Sequence, residues 1–472
     1  MENCYNWNEW KNFLWSGLTI VICFLSITSH AGELNIGAAT VKITPPLGIP
    51  MAGYYYSRGA EAVHDDLYAK AMVVEKNSVK VAIVSCDIIQ ITADLASRVR
   101  KLVEESTGIA TDHIMISATH SHTGPVIISE LEERDTEQGE SAKILSTYMS
   151  RLPELITKSI IEANDKLQPA RLSFGSGFEE TISFNRRFFM KDGSVGWNPG
   201  KLNPNIIKTA GPIDPNVSVL FAETMEGAPI STYVNFALHL DITGGLEISA
   251  DMPYTLSTLL SNVKGENMIT LFGQGCCGNI NHLNVKNAAP QKGHGEAQRI
   301  GTVLAGEVIK TYTRLNTLSV DNIMVKSEIV KLLLPEISKD DLHKARDIAE
   351  KHKTSEDLPF LEVVNAMKVV DVYNRNGKPI EAEVQVFALG DEFAVVNLPG
   401  EVFVELGMYI KERSPYPYTM VVELSNGSID YVPDRKAFVE GNYEPLSARC
   451  APGSGEILVE KVLEILNDLK NN

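Results

Sequence analysis

The segment Val79–Pro125 reads VKVAIVSCDIIQITADLASRVRKLVEESTGIATDHIMISATHSHTGP, and three textures within it decide the fold class. Val79–Ile89 is an apolar run, the pattern of a strand buried on both faces. Thr92–Thr107 carries its apolar residues at a spacing near 3.6 and predicts a helix, and Ile114–Ala118 is the next buried strand. Working outward, Met72–Glu75 is a further strand and Ser141–Leu167 a long helix. Val234–Leu240 and Met268–Phe272 are strands followed by helices Pro253–Val263 and Gly293–Tyr312. Alternation of this kind predicts an α/β fold with a mixed or mostly parallel sheet flanked by helices.

The texture changes near Asn322. A strand at Asn322–Leu334 precedes two helical stretches, Asp340–Lys353 and Pro359–Asp371, which read as a cap or inserted helical pair. Ile380–Asn397 reads as two strands around Gly390-Asp391, and Val402–Arg413 as a helix. No repeat and no Pro/Ser/Gly linker interrupts the chain. The expected organisation is therefore an α/β core over 32–320 with a smaller C-terminal α/β portion, 321–472, packed on it.

Of the 472 residues 44% are hydrophobic and 22% charged, the balance of a globular chain with a large core. The net charge of −17 is unbroken by any basic cluster, which argues against nucleic acid as a partner, since neutralising phosphates needs a concentrated basic face. At the N-terminus, Lys11 precedes the apolar run Phe13–Thr28 and the small-x-small triplet Ser29-His30-Ala31, the signature of a secretory signal peptide over 1–31. That run is 16 residues long, short of the ~20 a membrane-spanning helix needs. With no other stretch able to span, the expectation is a secreted or periplasmic protein without a transmembrane segment after cleavage. Four cysteines then remain, Cys86, Cys276, Cys277 and Cys450, too few for a disulfide scaffold. Adjacent Cys276-Cys277 are either a vicinal bridge or two buried small residues.

The sharpest chemical signal is Thr119-His120-Ser121-His122-Thr123-Gly124-Pro125, directly after a buried strand. Open α/β sheets hold ligands outside the carboxyl ends of their strands, and imidazole is the commonest protein ligand for zinc. His239 ends a second strand and is either a structural histidine or a further nitrogen ligand. Glu401, after Asn397-Leu398-Pro399-Gly400, is either a charge at a helix N-terminus or a metal ligand. Gly273–Asn284 (GQGCCGNINHLN) is glycine-rich but lacks the Gly-Lys-Ser/Thr element of a phosphate loop. No Gly-x-Ser-x-Gly elbow occurs anywhere, which weakens a serine-hydrolase reading.

In their order along the chain, Met51-Ala52-Gly53-Tyr54, Ser85-Cys86-Asp87, the Thr-His-x-His-x-Gly-Pro motif, Pro399-Gly400-Glu401 and the tyrosines Tyr431 and Tyr443 resemble the neutral/alkaline ceramidase superfamily, over about residues 34–458. The resemblance implies one Zn2+ per chain held by His120, His239, Glu401 and Tyr431. It further implies His122 as the catalytic histidine beside a zinc-activated water, and Tyr443 with Arg186 stabilising the oxyanion. Arg187 competes with Arg186 for the matching Asn-Arg position. Asp87 reads either as the hydrogen-bond partner of a ligand histidine or as a solvated carboxylate.

Two departures qualify the resemblance. The family's Gly-Asp-x-Ser-Pro element aligns with Gly278-Asn279-Ile280-Asn281-His282, so Asn281 stands where the serine should be; it can donate a hydrogen bond but cannot act as a nucleophile. The chain also ends 29 residues after Tyr443, so a member without the family's C-terminal β-sandwich domain is expected. The implied activity is hydrolysis of an amide bond in a lipid, glycoconjugate or other small-molecule substrate. Two alternatives stand beside it: hydrolysis of an ester or other linkage in a carbohydrate or glycoconjugate, and a non-catalytic zinc-bearing binding protein. The walls that would choose among substrates are expected in Arg187–Leu202 and Asp340–Asp371. Phe188, Phe189 and Trp197 either line an acyl groove or pack beneath a loop.

Overall fold

The computed structural model describes residues 32–128, 139–352 and 358–471; the signal peptide expected at 1–31 lies outside the described residues. Asn77 and Ser78 take positive φ, 50° and 66°, the backbone of a two-residue turn whose twist suits a hairpin. Strand Tyr68–Lys76 therefore folds back antiparallel onto Val79–Cys86. Helix Ala93–Thr107 returns the chain so that Ile114–Ala118 runs parallel to Val79–Cys86. That helix starts where the Thr92 side chain accepts from the Leu95 amide and stops at left-handed Gly108, a hydroxyl cap at one end and a glycine stop at the other.

These strands belong to a nine-stranded sheet in the order 269–274, 229–236, 216–224, 168–178, 35–42, 68–76, 79–86, 114–118, with Asn316–Thr317 paired to Gln168–Phe178. The sheet is mixed, with parallel pairing only at its two ends and antiparallel pairing between. Continuous apolar runs arise wherever both faces of a strand are covered, so they carry no information on strand direction. The sheet folds over on itself: Ser85, near one end of the strand order, donates to the Phe272 carbonyl at the other at 2.6 Å.

A second sheet, in the order 323–332, 380–389, 393–397, 418–422, packs against the inner face of the first. Phe387, Phe393 and Met420 share one buried cluster with Met72, Ile83, Phe174 and Leu220. Helices Ala93–Thr107 and Glu140–Asp165 cover one outer face, Met252–Lys264 and His294–Thr311 another, and Val404–Arg413 with Ser454–Asn471 the far side of the second sheet. The helical pair expected after residue 340 is present as Lys339–His352 and Phe360–Asn374.

What positions the site is the segment after strand Tyr418–Val422. It runs along the edge strand Ile114–Ala118, where Ser425 bridges Ser117. The Asn426 amide donates to the Ile116 carbonyl at 2.8 Å, and its side-chain oxygen accepts from the Ile116 amide at 2.9 Å. The strand that precedes His120 is thus stitched to the segment that leads to Tyr431.

Packing is tightest where strand Asn35–Lys42 meets helix Glu140–Asp165. A Cβ on Gly37 would lie 2.1 Å from the Ala163 carbonyl oxygen and 2.8 Å from the Leu167 amide; both are backbone atoms, which cannot swing away. Gly37→Ala should therefore destabilise the fold by about 1–3 kcal/mol, the range for overpacking a core, read as a lowered midpoint in thermal unfolding. An unchanged midpoint would contradict this packing.

Candidate metal centre

His120 sits in the left-handed region at φ 72°, a strained backbone for a residue with a Cβ. Two hydrogen bonds hold it there: its amide donates to the Ile88 carbonyl at 3.0 Å and its ring Nδ1 to the Ile89 carbonyl at 2.8 Å. His122 Nδ1 donates to the Gly53 carbonyl at 3.0 Å. With Nδ1 carrying the proton, each ring turns the lone pair of its Nε2 inward. His239, three residues beyond strand Pro229–Phe236, brings a third Nε2. It lies 2.9 Å from that of His122 and 3.2 Å from that of His120, and the latter two are 3.3 Å apart.

Glu401 and Tyr431 arrive as neighbours for a reason of register. Glu401–Val402 is a two-residue strand parallel to Tyr431–Val432, with Glu401 opposite Tyr431. Helix Val404–Arg413 starts only beyond Phe403, so Glu401 does not open a helix, and the expected helix from Val402 is shortened by this short strand. Glu401 Oε2 lies 3.5 Å from His120 Nε2 and 3.8 Å from His239 Nδ1, and it is buried without a hydrogen-bond partner. Arg186 reaches the same point, donating to the Tyr431 hydroxyl at 3.1 Å and the Gly278 carbonyl at 2.6 Å, while its Nε pairs with Glu444 at 3.0 Å. Arg187 turns the other way, to Glu444 and Glu440.

The electrostatics follow from desolvation. Burial pushes the His122 imidazole down to about 4 and His239 well below its ordinary value, and it pushes the Tyr431 phenol well up. Burial also acts to raise Glu401, but His120 beside it outweighs this and holds the carboxyl below its usual value. The result is a buried carboxylate oxygen beside three crowded imidazole Nε2 atoms, an arrangement that a shared cation relieves. His120, His122 and His239 form a group that could hold a metal ion. Imidazole, carboxylate and phenol together suit a divalent ion of borderline hardness. His122, read from the sequence as a proton carrier, has its Nε2 inside the nitrogen cluster on the same terms as the other two.

The cluster lies at a cavity of about 870 Å³ lined by Arg186, Trp197, Asn281, Tyr431 and Tyr443 among others. Asn281 Nδ2 donates to Asn198 Oδ1 at 2.8 Å and its Oδ1 accepts from the Leu283 amide at 3.0 Å. Asn279 faces away and accepts from the Val404 amide at 2.9 Å, at the start of the following helix. Of the three aromatic residues in question, Trp197 lines the cavity, Phe188 lines a separate hollow of about 330 Å³, and Phe189 packs beside Lys208 and Lys436. The helical pair adds Phe360 and Val363 to the wall. His64 stacks on half-buried His294 beside Glu247, near the surface.

Several other residues hold the centre together. Asp87 is the partner of no ligand histidine; it is fully buried, pairs with Lys70 at 3.2 Å and accepts from the Tyr68 amide. Glu423, also fully buried, accepts from the Val402 amide at 2.6 Å and the Cys277 amide at 3.1 Å, and so ties the loop of Glu401 to the glycine-rich loop. Cys276 and Cys277 are both free. Glu423 and Glu444 leave no signal by spacing, although the doublet Arg186-Arg187, once known to be buried, demands an acidic partner.

Two substitutions test this arrangement. A Cβ on Gly53, at φ 96°, would lie 2.4 Å from His122 Nδ1, so Gly53→Ala should displace the ring and weaken binding of an added divalent metal in a calorimetric titration. Lys70→Met leaves the Asp87 carboxylate buried and uncompensated, and should cost about 3–5 kcal/mol in denaturant unfolding. Metal affinity unchanged in the first, or stability unchanged in the second, would contradict the respective contact.

Comparisons with known proteins agree with this architecture. The family described as neutral/alkaline non-lysosomal ceramidase, N-terminal, matches residues 34–236. Neutral ceramidase B of Dictyostelium discoideum is 26% identical over 219 residues, 45% of this chain and 29% of that protein. Neutral ceramidase of Pseudomonas aeruginosa is 26% identical over 212 residues, 43% and 30% of the two chains. The matches thus span less than a third of the length of these relatives. The crystal structure of the Pseudomonas aeruginosa neutral ceramidase shares the fold, with a TM-score of 0.73 at 18% identity, over 93% of this chain and 75% of that one. Residues 34–236 are thus similar in sequence to the N-terminal part of neutral/alkaline ceramidases, and the chain shares their fold.

Proposed function

We propose that the protein is a secreted or periplasmic, zinc-dependent hydrolase of an amide bond, a ceramidase-like N-acyl amidohydrolase. The observation that carries this reading is the convergence of three imidazole Nε2 atoms and the unpartnered Glu401 oxygen beside an 870 Å³ cavity. His120, His239, Glu401 and Tyr431 would hold one Zn2+, two ligands from the part before residue 321 and two from the part after it. When bound, zinc polarises a substrate carbonyl and lowers the pKa of water towards ~7.

This chain's own groups supply the rest. His122 takes the proton of the attacking water and returns it to the leaving amine, a contribution of about 10²–10⁴-fold. Its Nδ1–H bond to Gly53 puts the lone pair on Nε2, the atom that would take that proton. Arg186, anchored by Glu444, and Tyr443 lie where negative charge would build on the carbonyl oxygen. Asn281 has one amide hydrogen committed to Asn198 and one to offer the substrate. No nucleophilic side chain stands in for the family serine, so water is the attacking group. A closed structural site would sit under packed side chains, and this cluster borders a large cavity. Among the described residues no helix is long and apolar enough to cross a membrane. The leader at 1–31 would direct export.

The purified protein should contain about one zinc per chain and cleave N-acyl amides. Chelation and His120→Ala should each abolish cleavage, and zinc should restore only the chelated wild type. Tyr443→Phe should lower kcat by about 10²–10³-fold if its hydroxyl stabilises the oxyanion. Zinc-replete protein inert toward every amide tested would overturn the proposal.

A further inference from the structure

One wall of the cavity is built for hydroxyl groups. The Tyr54 hydroxyl donates to Asp241 Oδ1, and Lys292 Nζ reaches both the Tyr54 oxygen, at 2.9 Å, and Asp241, at 3.7 Å. Arg58 lies 4.2 Å over the Tyr54 ring and fixes it by donating to the Ala52, His122 and Gly245 carbonyls. His282, 4% exposed, commits its Nε2–H to the Gln291 carbonyl at 2.7 Å. Its Nδ1 is left as a buried acceptor without a partner. Asp251 accepts from the amides of Ile242 and Thr243, which sets the loop that carries Asp241.

The cavity also has an aromatic cluster in its lining. Trp197, Tyr443 and Phe360 cluster with ring centroids 4.4–5.8 Å apart and interplanar angles of 18–35°. The Trp197 indole N–H is buried and unpartnered. Among the described residues the aliphatic lining is Leu283, Leu358 and Val363.

An aromatic cluster and a set of donors and acceptors lining one cavity match a saturated ring with C–H faces and a hydroxyl edge. Buried groups such as His282 Nδ1 and Trp197 N–H stay costly until a ligand pairs with them. We infer that this cavity takes an N-acylated amino sugar, its ring against Trp197 and its hydroxyls on Tyr54, Asp241 and His282, with the N-acyl group directed to the histidine cluster. The inference rests on the amidohydrolase reading for the bond cleaved, but not for binding.

The test is therefore a binding measurement on the purified full chain. N-acetylglucosamine and its short oligomers, and separately a short-chain ceramide below its critical micelle concentration, are titrated by ligand-observed NMR, with turnover followed in parallel. The sugar should bind and the ceramide should not displace it. Asp241→Asn should weaken sugar binding by about 10–100-fold, the loss expected for hydrogen bonds to a charged group. Lys292→Met, at a half-exposed position that does not threaten folding, should weaken it in the same direction. Sugar binding without turnover would count against the amidohydrolase reading and support the subsite. No sugar binding, displacement by ceramide, or wild-type affinity in both variants would overturn the subsite whatever the activity.

Discussion

Everything around the candidate centre answers to one electrostatic constraint: three imidazole nitrogens within 3.3 Å of one another, with a buried carboxylate oxygen beside them. Without positive charge among them such groups repel, and burial removes the water that would screen the repulsion. The fold nonetheless spends specific backbone geometry to maintain the arrangement, with His120 at φ 72° and Gly53 and Gly400 at positive φ. Strain kept at a cluster of donors is understandable if those donors share a cation.

The scaffold serves that constraint by joining distant segments at backbone level. Glu401 and Tyr431 are neighbours by strand register, and Ser425 and Asn426 stitch the same region to the strand before His120. Glu423 receives one amide from each of two loops, so the glycine-rich turn and the Glu401 turn move together. A site assembled from side chains on separate flexible loops would lack this rigidity. Here the positions of the candidate residues are consequences of sheet pairing.

Much of this was legible in the sequence, for identifiable reasons. Histidines just beyond strand ends, as after Ala118 and Phe236, come together in one cluster because α/β sheets open there. The mixed character of the sheet was not fully legible, since the apolar runs at 72–75 and 79–89 look alike whichever way a strand runs. Glu401 is the sharper case. Its neighbours Val402–Arg413 are helical in pattern, yet pairing with Tyr431–Val432 claims the first residues for a short strand, a tertiary preference that no local window contains. Asp87 is neither the partner of a ligand histidine nor a solvated carboxylate, because it is buried and its charge is answered by Lys70 across the hairpin. The polar group of Tyr54, Asp241 and Lys292 combines segments nearly 240 residues apart, and only Tyr54 among them lies in a motif that carries the resemblance.

The measurement closest to the central claim is zinc K-edge X-ray absorption on the purified protein, comparing wild type with His239→Ala. The account predicts a first shell of nitrogen and oxygen only, at about 2.0–2.2 Å, with imidazole scattering that falls by one ring in the variant. A sulfur scatterer near 2.3 Å, which would implicate Cys277, or a spectrum indifferent to His239→Ala, would contradict it.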